Sequence, residues 1–174
     1  MTVSLLRTAL LLLIATCASC GYRMVRPDIG GGRSIAVPTA TNTSSWLGLE
    51  APLTREVRAD LQRLLDIRLG SGSGSDFVLK TDIADVGRSS RLALRSGGAA
   101  VGIAKLDIHW MLENSQGEVL GEGNIRRSLE FLTSLDEDAY SAFDEIIAEI
   151  SQQIALEVGA QIEQLTFPQE NNES

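Results

Sequence analysis

The sequence predicts an α+β fold, a two-layer sandwich in the order β-α-β-β-β-α, with two helices covering a mixed four-stranded sheet. Apolar residues recur at helical spacing in one early and one late segment, and they alternate with polar residues between these two. A strand that alternates in this way has one apolar face that needs a cover. Two helices with apolar stripes can provide that cover.

The first 19 residues have the features of a secretory signal peptide. Arg7 supplies a positive charge, and the apolar run over residues 9–15 is too short to cross a bilayer as a helix. The small residues Ala18 and Ser19 before Cys20 resemble a bacterial lipobox, where the cysteine sulfur is lipidated and the chain is cut just before it. We therefore expect Cys20 to be the acylated first residue of the mature protein. An ordinary secreted protein, cut near Ala18, is the alternative.

The expected anchor is strong, and the residue that follows it indicates which membrane holds the protein. Each buried CH₂ group contributes about 0.8 kcal/mol, so the two or three acyl chains of a bacterial lipoprotein hold far better than one. Gly21 follows Cys20 where an aspartate would favour retention in the inner membrane. We therefore expect the periplasmic side of the outer membrane.

Composition limits the classes of function. Removing 19 of the 174 residues leaves 155, enough for one domain, with 14 Lys and Arg against 23 Asp and Glu, a net charge of −9. Such an acidic chain is poorly suited to nucleic acid, which is held mainly by Lys and Arg. With Cys20 acylated and a single His in the chain, ligands for structural zinc are lacking. We expect no cofactor other than the acyl anchor.

The mature chain divides into three parts. Residues 20–33 contain Pro27 and three consecutive glycines without periodicity, so we expect a lipidated N-terminus and a flexible tether. Residues 34–167 form the single α+β domain, and residues 168–174 form a polar tail.

Two helices are predicted within the domain. The first has Pro52 in its first turn and Gly70 as its C-terminal cap, and the second begins at a capping box of Ser134 and Glu137 and extends for about 28 residues at helical spacing. Their apolar stripes are Leu53, Val57, Leu61, Leu64 and Leu65, and Phe143, Ile147, Ile150, Ile154, Val158, Ile162 and Leu165. The Gly-Ser repeat over residues 70–75 is interpreted as a linker, because it lacks the Lys-Ser/Thr of a nucleotide loop.

Four strands are predicted at residues 34–38, 76–86, 99–113 and 118–132, and the last two form an antiparallel hairpin. A basic excursion over residues 87–98 separates the second strand from the third. The side chains expected on the apolar face are Phe77, Leu79 and Ile83, then Leu106, Ile108, Trp110 and Leu112, and finally Val119, Ile125, Leu129 and Phe131.

No catalytic constellation is visible. His109 and Asp107 share one face of a strand, which residues at i and i+2 always do, so a solvated position explains them. The serines of the Gly-Ser repeat follow a helix and do not form a nucleophile elbow. We predict that the protein is not an enzyme.

Five arginines are candidates for binding an anionic ligand. Arg88, Arg91 and Arg95 lie in the basic excursion, and Arg126 and Arg127 lie on the strand that pairs with the third. Guanidinium groups suit phosphate and carboxylate oxygens. A solvated hairpin tip without a ligand is the alternative.

Several segments together resemble one protein family, the LPS-assembly lipoprotein LptE. They are Cys20, Gly21 and Tyr22 at the mature start, IAVPTATN at residues 35–42, Gly-Leu-Glu at residues 48–50 with Leu53 and Thr54, the turn at residues 117–120 and the long C-terminal helix. The sequence departs from the family at Ala40, where an aromatic residue is common.

The resemblance implies a non-enzymatic plug seated in the β-barrel of the LPS-assembly porin, helping the barrel to fold and receiving LPS. The arginines Arg88, Arg91, Arg95, Arg126 and Arg127 are then candidates for contacts with LPS phosphates. The alternative is a periplasmic adaptor lipoprotein that binds another envelope protein without touching LPS, because residues 35–42 are also similar to domains of that kind.

Overall fold

The computed structural model describes residues 29–72, 74–92, 101–132 and 139–166. Within these ranges the chain forms a sheet with two helices packed on one of its faces, which confirms the predicted α+β sandwich. The elements are β1 (Ser34–Ala36), β2 (Thr41–Asn42), α1 (Glu50–Leu65), β3 (Arg68–Leu69), β4 (Phe77–Leu92), β5 (Val101–Asn114), β6 (Val119–Leu132) and α2 (Ala139–Thr166). The capping box of Ser134 and Glu137 lies outside the described residues.

In the described ranges the sheet has six strands, two more than predicted. Five follow the order β3-β1-β4-β5-β6, and the sixth, β2, lies off this path and pairs with β4. The additional strands, β2 and β3, have two residues each and are too short to produce an alternating pattern. β1 and β2 both pair in parallel with the same edge of β4, and Pro38, which has no N–H group, lies between them. β4, β5 and β6 form an antiparallel meander, so the predicted hairpin over residues 99–132 is confirmed.

The predicted end of the first helix is wrong. α1 ends at Leu65, and Asp66 adopts a left-handed conformation with φ of 50° while its N–H group donates to the Gln62 carbonyl. The chain turns here because Ile67 is buried in the core and Arg68 pairs with β1. The predicted cap residue, Gly70, instead donates its N–H group to the Ile35 carbonyl.

The basic excursion is in part a regular strand. β4 continues to Leu92, and a bulge between Ile83 and Asp85 shifts its alternation by one residue. Val86 therefore points into the core, although Ile83 and Val86 are three residues apart. Residues 93–100 lie outside the described residues.

The predicted inward faces are otherwise largely observed. Leu106, Ile108, Trp110 and Leu112 are all buried, as are Phe77, Leu79, Ile83, Ile125 and Phe131. The exception is Val119, which is 53% exposed because the register of β5 and β6 shifts between Leu112 and Glu113.

The two helices run parallel and touch closely. Asp60 on α1 faces Ser151 on α2. Closer to the C-terminal ends of the helices, Leu65 of α1 lies against Gly159 of α2. A Cβ atom at Gly159 would lie 2.6 Å from a Leu65 methyl carbon, so this contact requires glycine or a shift of the leucine. Neither helix in the described part of the chain is apolar over a length that could cross a bilayer.

The folded part begins before the predicted boundary. Ile29 is buried, and the Gly30 N–H group donates to the Leu65 carbonyl at 2.9 Å. Residues 29–33, which we assigned to the tether, therefore pack on the C-terminal end of α1. The rest of the predicted tether, Cys20 and the signal peptide lie outside the described residues.

A buried carboxylate joins the two helices. Asp60 is 8% exposed, and its Oδ2 atom accepts a hydrogen bond of 2.6 Å from the Ser151 hydroxyl. We expect Ser151→Ala to lower the free energy of unfolding by about 1–3 kcal/mol, because a buried charged acceptor loses its partner. Urea denaturation measures the change. The neighbouring exposed-site variant Gln152→Ala is the control, and equal effects of the two variants would contradict the assignment.

A second clamp holds β1 against the start of β4. The Ser34 N–H group and hydroxyl donate to Asp76 Oδ2 at 2.7 and 2.9 Å, and these bonds hold the pKa of Asp76 below its ordinary value of 3.8. The clamp therefore stabilises the fold above the ordinary pKa and is lost as the pH falls through the lowered one. The free energy of unfolding of the wild-type protein should fall as the pH is lowered from about 5 to 2. We expect a smaller fall for Asp76→Asn over the same range. An unchanged pH profile would show that the clamp contributes nothing.

Candidate binding surface

The sheet face opposite the helices, here called the open face, is a surface that no described element covers. Strand alternation and register place charged and polar side chains there: Lys80, Asp82 and Asp85 on β4, Lys105, Asp107, His109 and Met111 on β5, and Glu122, Asn124 and Arg126 on β6. Most of these side chains are exposed or half-buried. The open face is therefore polar, and its carboxylates outnumber its cations.

A groove of about 320 Å³ crosses one edge of the open face. The connection between β1 and β2 forms one wall, and the open face forms the floor. Carbon atoms form most of the exposed surface of the groove. The residues that line it are Pro38, Thr39, Thr41, Lys80, Thr81, Asp82, His109 and Met111. A groove of this size can accept one or two side chains of a partner or a small apolar group.

The charged groups Lys80 and Asp82 at the groove already have partners within the fold, whereas the buried Thr81 hydroxyl has none among the described residues. Lys80 Nζ lies 2.6 Å from Glu113 Oε1. Asp82 accepts hydrogen bonds from the hydroxyls of Thr41 at 2.6 Å and Thr43 at 3.3 Å. Pairing of this kind orders the surface and leaves few charges available for chemistry.

An ion pair with a buried carboxylate and an exposed arginine lies in the middle of the open face. The Asp107 side chain is 8% exposed, and its Oδ2 atom accepts a hydrogen bond of 2.8 Å from Arg126 Nε. Asp85 lies directly opposite Asp107 on β4, so Arg126 offsets the repulsion between two neighbouring carboxylates. The hydrogen bond and the charge of Asp107 raise the pKa of Arg126. The Arg126 guanidinium is therefore already bonded to a carboxylate within the domain.

The structure does not gather the candidate arginines on one surface. Arg126 lies on the open face, whereas Arg127 follows it on the helix side, where it binds Gln153 and lies 4.0 Å from Glu149. Arg88 is exposed on the helix side of β4, with its guanidinium carbon 5.8 Å from the centre of the Phe131 ring.

The side chains of the other two candidates are not among the described residues. Arg91 belongs to β4, but its side chain lies outside the described residues, as does the whole of Arg95. Binding of an anionic ligand by this set of arginines stays a prediction.

His109 does not form a dyad with Asp107. Its side chain is 41% exposed, and its Nε2 atom lies 3.9 Å from Glu122 Oε2, while Asp107 is engaged by Arg126. In the ranges that the structure describes, no group of three His, Cys, Asp or Glu side chains is placed to hold a metal ion. The absence of catalysis stays a prediction.

Sequence reasoning missed both the groove and the ion pair of Asp107 and Arg126. The groove depends on β2, whose two residues carry no periodic signal. The ion pair depends on the register that places Asp107 opposite Arg126, 19 residues further along the chain. A polar residue at an outward strand position gave no sign that it would be buried.

No protein-family model matches the sequence, and no curated protein sequence matches it either. Several solved structures are similar in fold. A Xanthomonas campestris protein of the DUF330 family has a TM-score of 0.56 at 12% identity, covering 78% of this chain and 87% of its own. A hypothetical protein of Chlamydia trachomatis has a TM-score of 0.53 at 8% identity, covering 75% and 98%.

A minor lipoprotein of Acinetobacter baumannii is similar as well. Its TM-score is 0.51 at 12% identity, and the match covers 74% of this chain and 93% of the lipoprotein. Identities this low establish a likeness of fold and leave function open. The chain therefore shares its α+β sandwich with bacterial proteins that include a minor lipoprotein.

Proposed function

We propose that this protein is a lipid-anchored envelope protein that works by binding another envelope protein and catalyses no reaction. The observation that carries the proposal is the open face, a broad polar surface with an apolar groove and internally paired charges, in a domain preceded by a lipobox. A surface with paired charges suits recognition, whereas catalysis needs convergent groups left free to react. The A. baumannii protein of the same fold is a lipoprotein by its name, which supports the lipid anchor.

An anchor at Cys20 has a direct physical consequence. Nine residue steps separate Cys20 from Ile29, where the described fold begins, and they span about 31 Å when fully extended. A domain held this close to one membrane meets membrane partners at a high effective concentration, without any additional contact. The proposed location is the periplasmic side of the outer membrane.

In its more specific form, the proposal names the β-barrel of LPS assembly as the partner and LPS as the cargo. The resemblance to the LptE family supports this form, and so does the polar character of the open face, because the interior of a large outer-membrane barrel is polar. The exposed guanidinium group of Arg88 is available for a phosphate.

A second candidate is an adaptor that binds an envelope protein without touching LPS. It is favoured by the placement of Arg126 and Arg127, which are engaged by acceptors within the protein. The excess of carboxylates on the open face also disfavours contact with phosphates there.

The anchored function is tested by Cys20→Ser. We expect the wild-type protein to fractionate with membranes, to carry an acylated N-terminal cysteine by mass spectrometry and to co-purify with an integral barrel protein from detergent. Cys20→Ser should lose the acyl mass and the membrane association, because the sulfur that carries the lipid is absent. An unmodified thiol in the wild-type protein would overturn the proposal, and a soluble partner in place of a barrel would overturn its LPS form.

The LPS form is tested by replacing Arg88, Arg91 and Arg95 together with Ala. We expect weaker binding to purified LPS with a nearly unchanged melting temperature, because exposed charges contribute little to stability. The charge-matched control replaces Arg55, Arg68 and Lys80, three exposed cations remote from residues 88–95. Equal LPS binding by the two triple variants would contradict the assignment and favour the adaptor.

A further inference from the structure

The loop between β2 and α1 exposes an apolar side chain to an unusual degree. Leu47 is 76% exposed, more than any other large hydrophobic side chain in the described ranges, and Tyr140 beside this loop is 53% exposed. We call Trp46, Leu47 and Tyr140 the apolar tip. Isolated exposed leucines are common, so the significance of this one depends on how it is held.

The loop that carries Leu47 is fixed by hydrogen bonds. The Asn42 side-chain amide donates to the Trp46 carbonyl at 2.5 Å and to Glu50 Oε1 at 2.8 Å, and Asn42 Oδ1 accepts bonds from the backbone and the hydroxyl of Ser44. The other carboxylate oxygen of Glu50 accepts from the Gly48 N–H group at 2.8 Å. A loop ordered in this way loses little conformational freedom when it binds.

Aromatic rings support the tip from behind. The Trp46 ring lies edge-on to the fully buried Phe143 ring at 5.2 Å and 5.7 Å from the ring of Tyr140. The indole therefore joins the tip to the core. Trp and Tyr are enriched among the residues that contribute most of the binding energy at protein interfaces.

The tip lies at the far end of the domain from the tether. The chain comes in at Gly30, which bonds to Leu65 at the C-terminal end of α1, whereas the tip precedes the N-terminal end of the same helix. The 16 residues of α1 separate the two points by about 24 Å. A domain anchored through residue 20 can therefore direct the tip away from the membrane that holds it.

The charges around the tip disfavour a lipid surface. The loop of the tip (residues 43–49) and the whole of α2 contain no Lys or Arg, and the exposed carboxylates of Asp144 and Glu145 follow Tyr140 by one turn. The first cation of α1, Arg55, lies 3.1 Å from Glu56. Segments that lie on membranes combine apolar side chains with cations for anionic headgroups. A protein pocket with Lys or Arg at its rim matches both the apolar centre and the acidic surroundings of the tip.

A second copy of the chain is also a poor occupant. The same acidic surroundings would face each other in a symmetric pair.

We propose that the apolar tip docks into a basic-rimmed apolar pocket of the partner protein, with Leu47 as the inserted side chain. The proposal rests on the proposed function, because it names the surface through which the anchored protein holds its envelope partner.

The test places a photo-crosslinking amino acid at position 47 of the intact lipidated protein in cells, with Gln152 and Glu122 as exposed positions on α2 and on the open face. We expect position 47 to give one discrete adduct with an envelope protein, identified by mass spectrometry, and Gln152 to give none. Purified partner is then titrated with wild-type protein and variants. Leu47→Ser should weaken binding by about tenfold or more and Leu47→Met by less than about threefold, and raising the salt concentration should weaken wild-type binding.

Each other outcome overturns the docking proposal. These are an adduct with lipid or with a second copy, no adduct at position 47, or equal affinity of Leu47→Ser and wild-type protein. A protein adduct from Glu122 without one from position 47 leaves the proposed function standing and moves the interface to the open face. No protein adduct from any position removes both. Because Leu47 is so exposed, Leu47→Ser should keep the wild-type melting temperature, which shows that lost binding is not lost folding.

Discussion

The structure depends on burying one face of a three-stranded meander. Leu106, Ile108, Trp110 and Leu112 alternate along β5, the middle strand, and all four lie under the helices. Burial of these side chains and of their neighbours on β4 and β6 is the main favourable contribution to folding, because it removes the largest continuous apolar area from water. It also sets the register, since a slip by one residue would turn every apolar side chain outward.

One-sided burial explains the chemical character of the other side. With the apolar residues turned toward the helices, the charged residues of the same strands must share the open face. There they pair across strands, as Arg126 does with Asp107 and Lys80 with Glu113. Such pairs leave few groups free to react, which is consistent with a surface that recognises a partner and performs no catalysis.

The parallel arrangement of the two helices gives the domain two different ends. Gly159 lets α2 approach Leu65 near one end, where the chain also enters at Gly30. At the other end the Trp46 ring, in the loop before α1, packs edge-on against Phe143 of α2. One end of the sandwich therefore faces the proposed anchor, and the other presents Leu47.

The amino-acid sequence by itself determined the fold class, the approximate bounds of the long strands, the length of α2 and most of the buried face, because each of these follows from periodicity within one segment. It also supplied the resemblance of Ala18, Ser19 and Cys20 to a lipobox, which is a local pattern. Only the tertiary structure decided the end of α1 at Asp66, the extension of β4 through the basic excursion and the exposure of Val119. Each of these depends on a pairing partner distant in the chain, whose register no local pattern encodes. The separation of Arg126 from Arg127 follows from strand alternation, but the burial of Asp107 and the exposure of Leu47 result from contacts between segments that only the folded chain brings together.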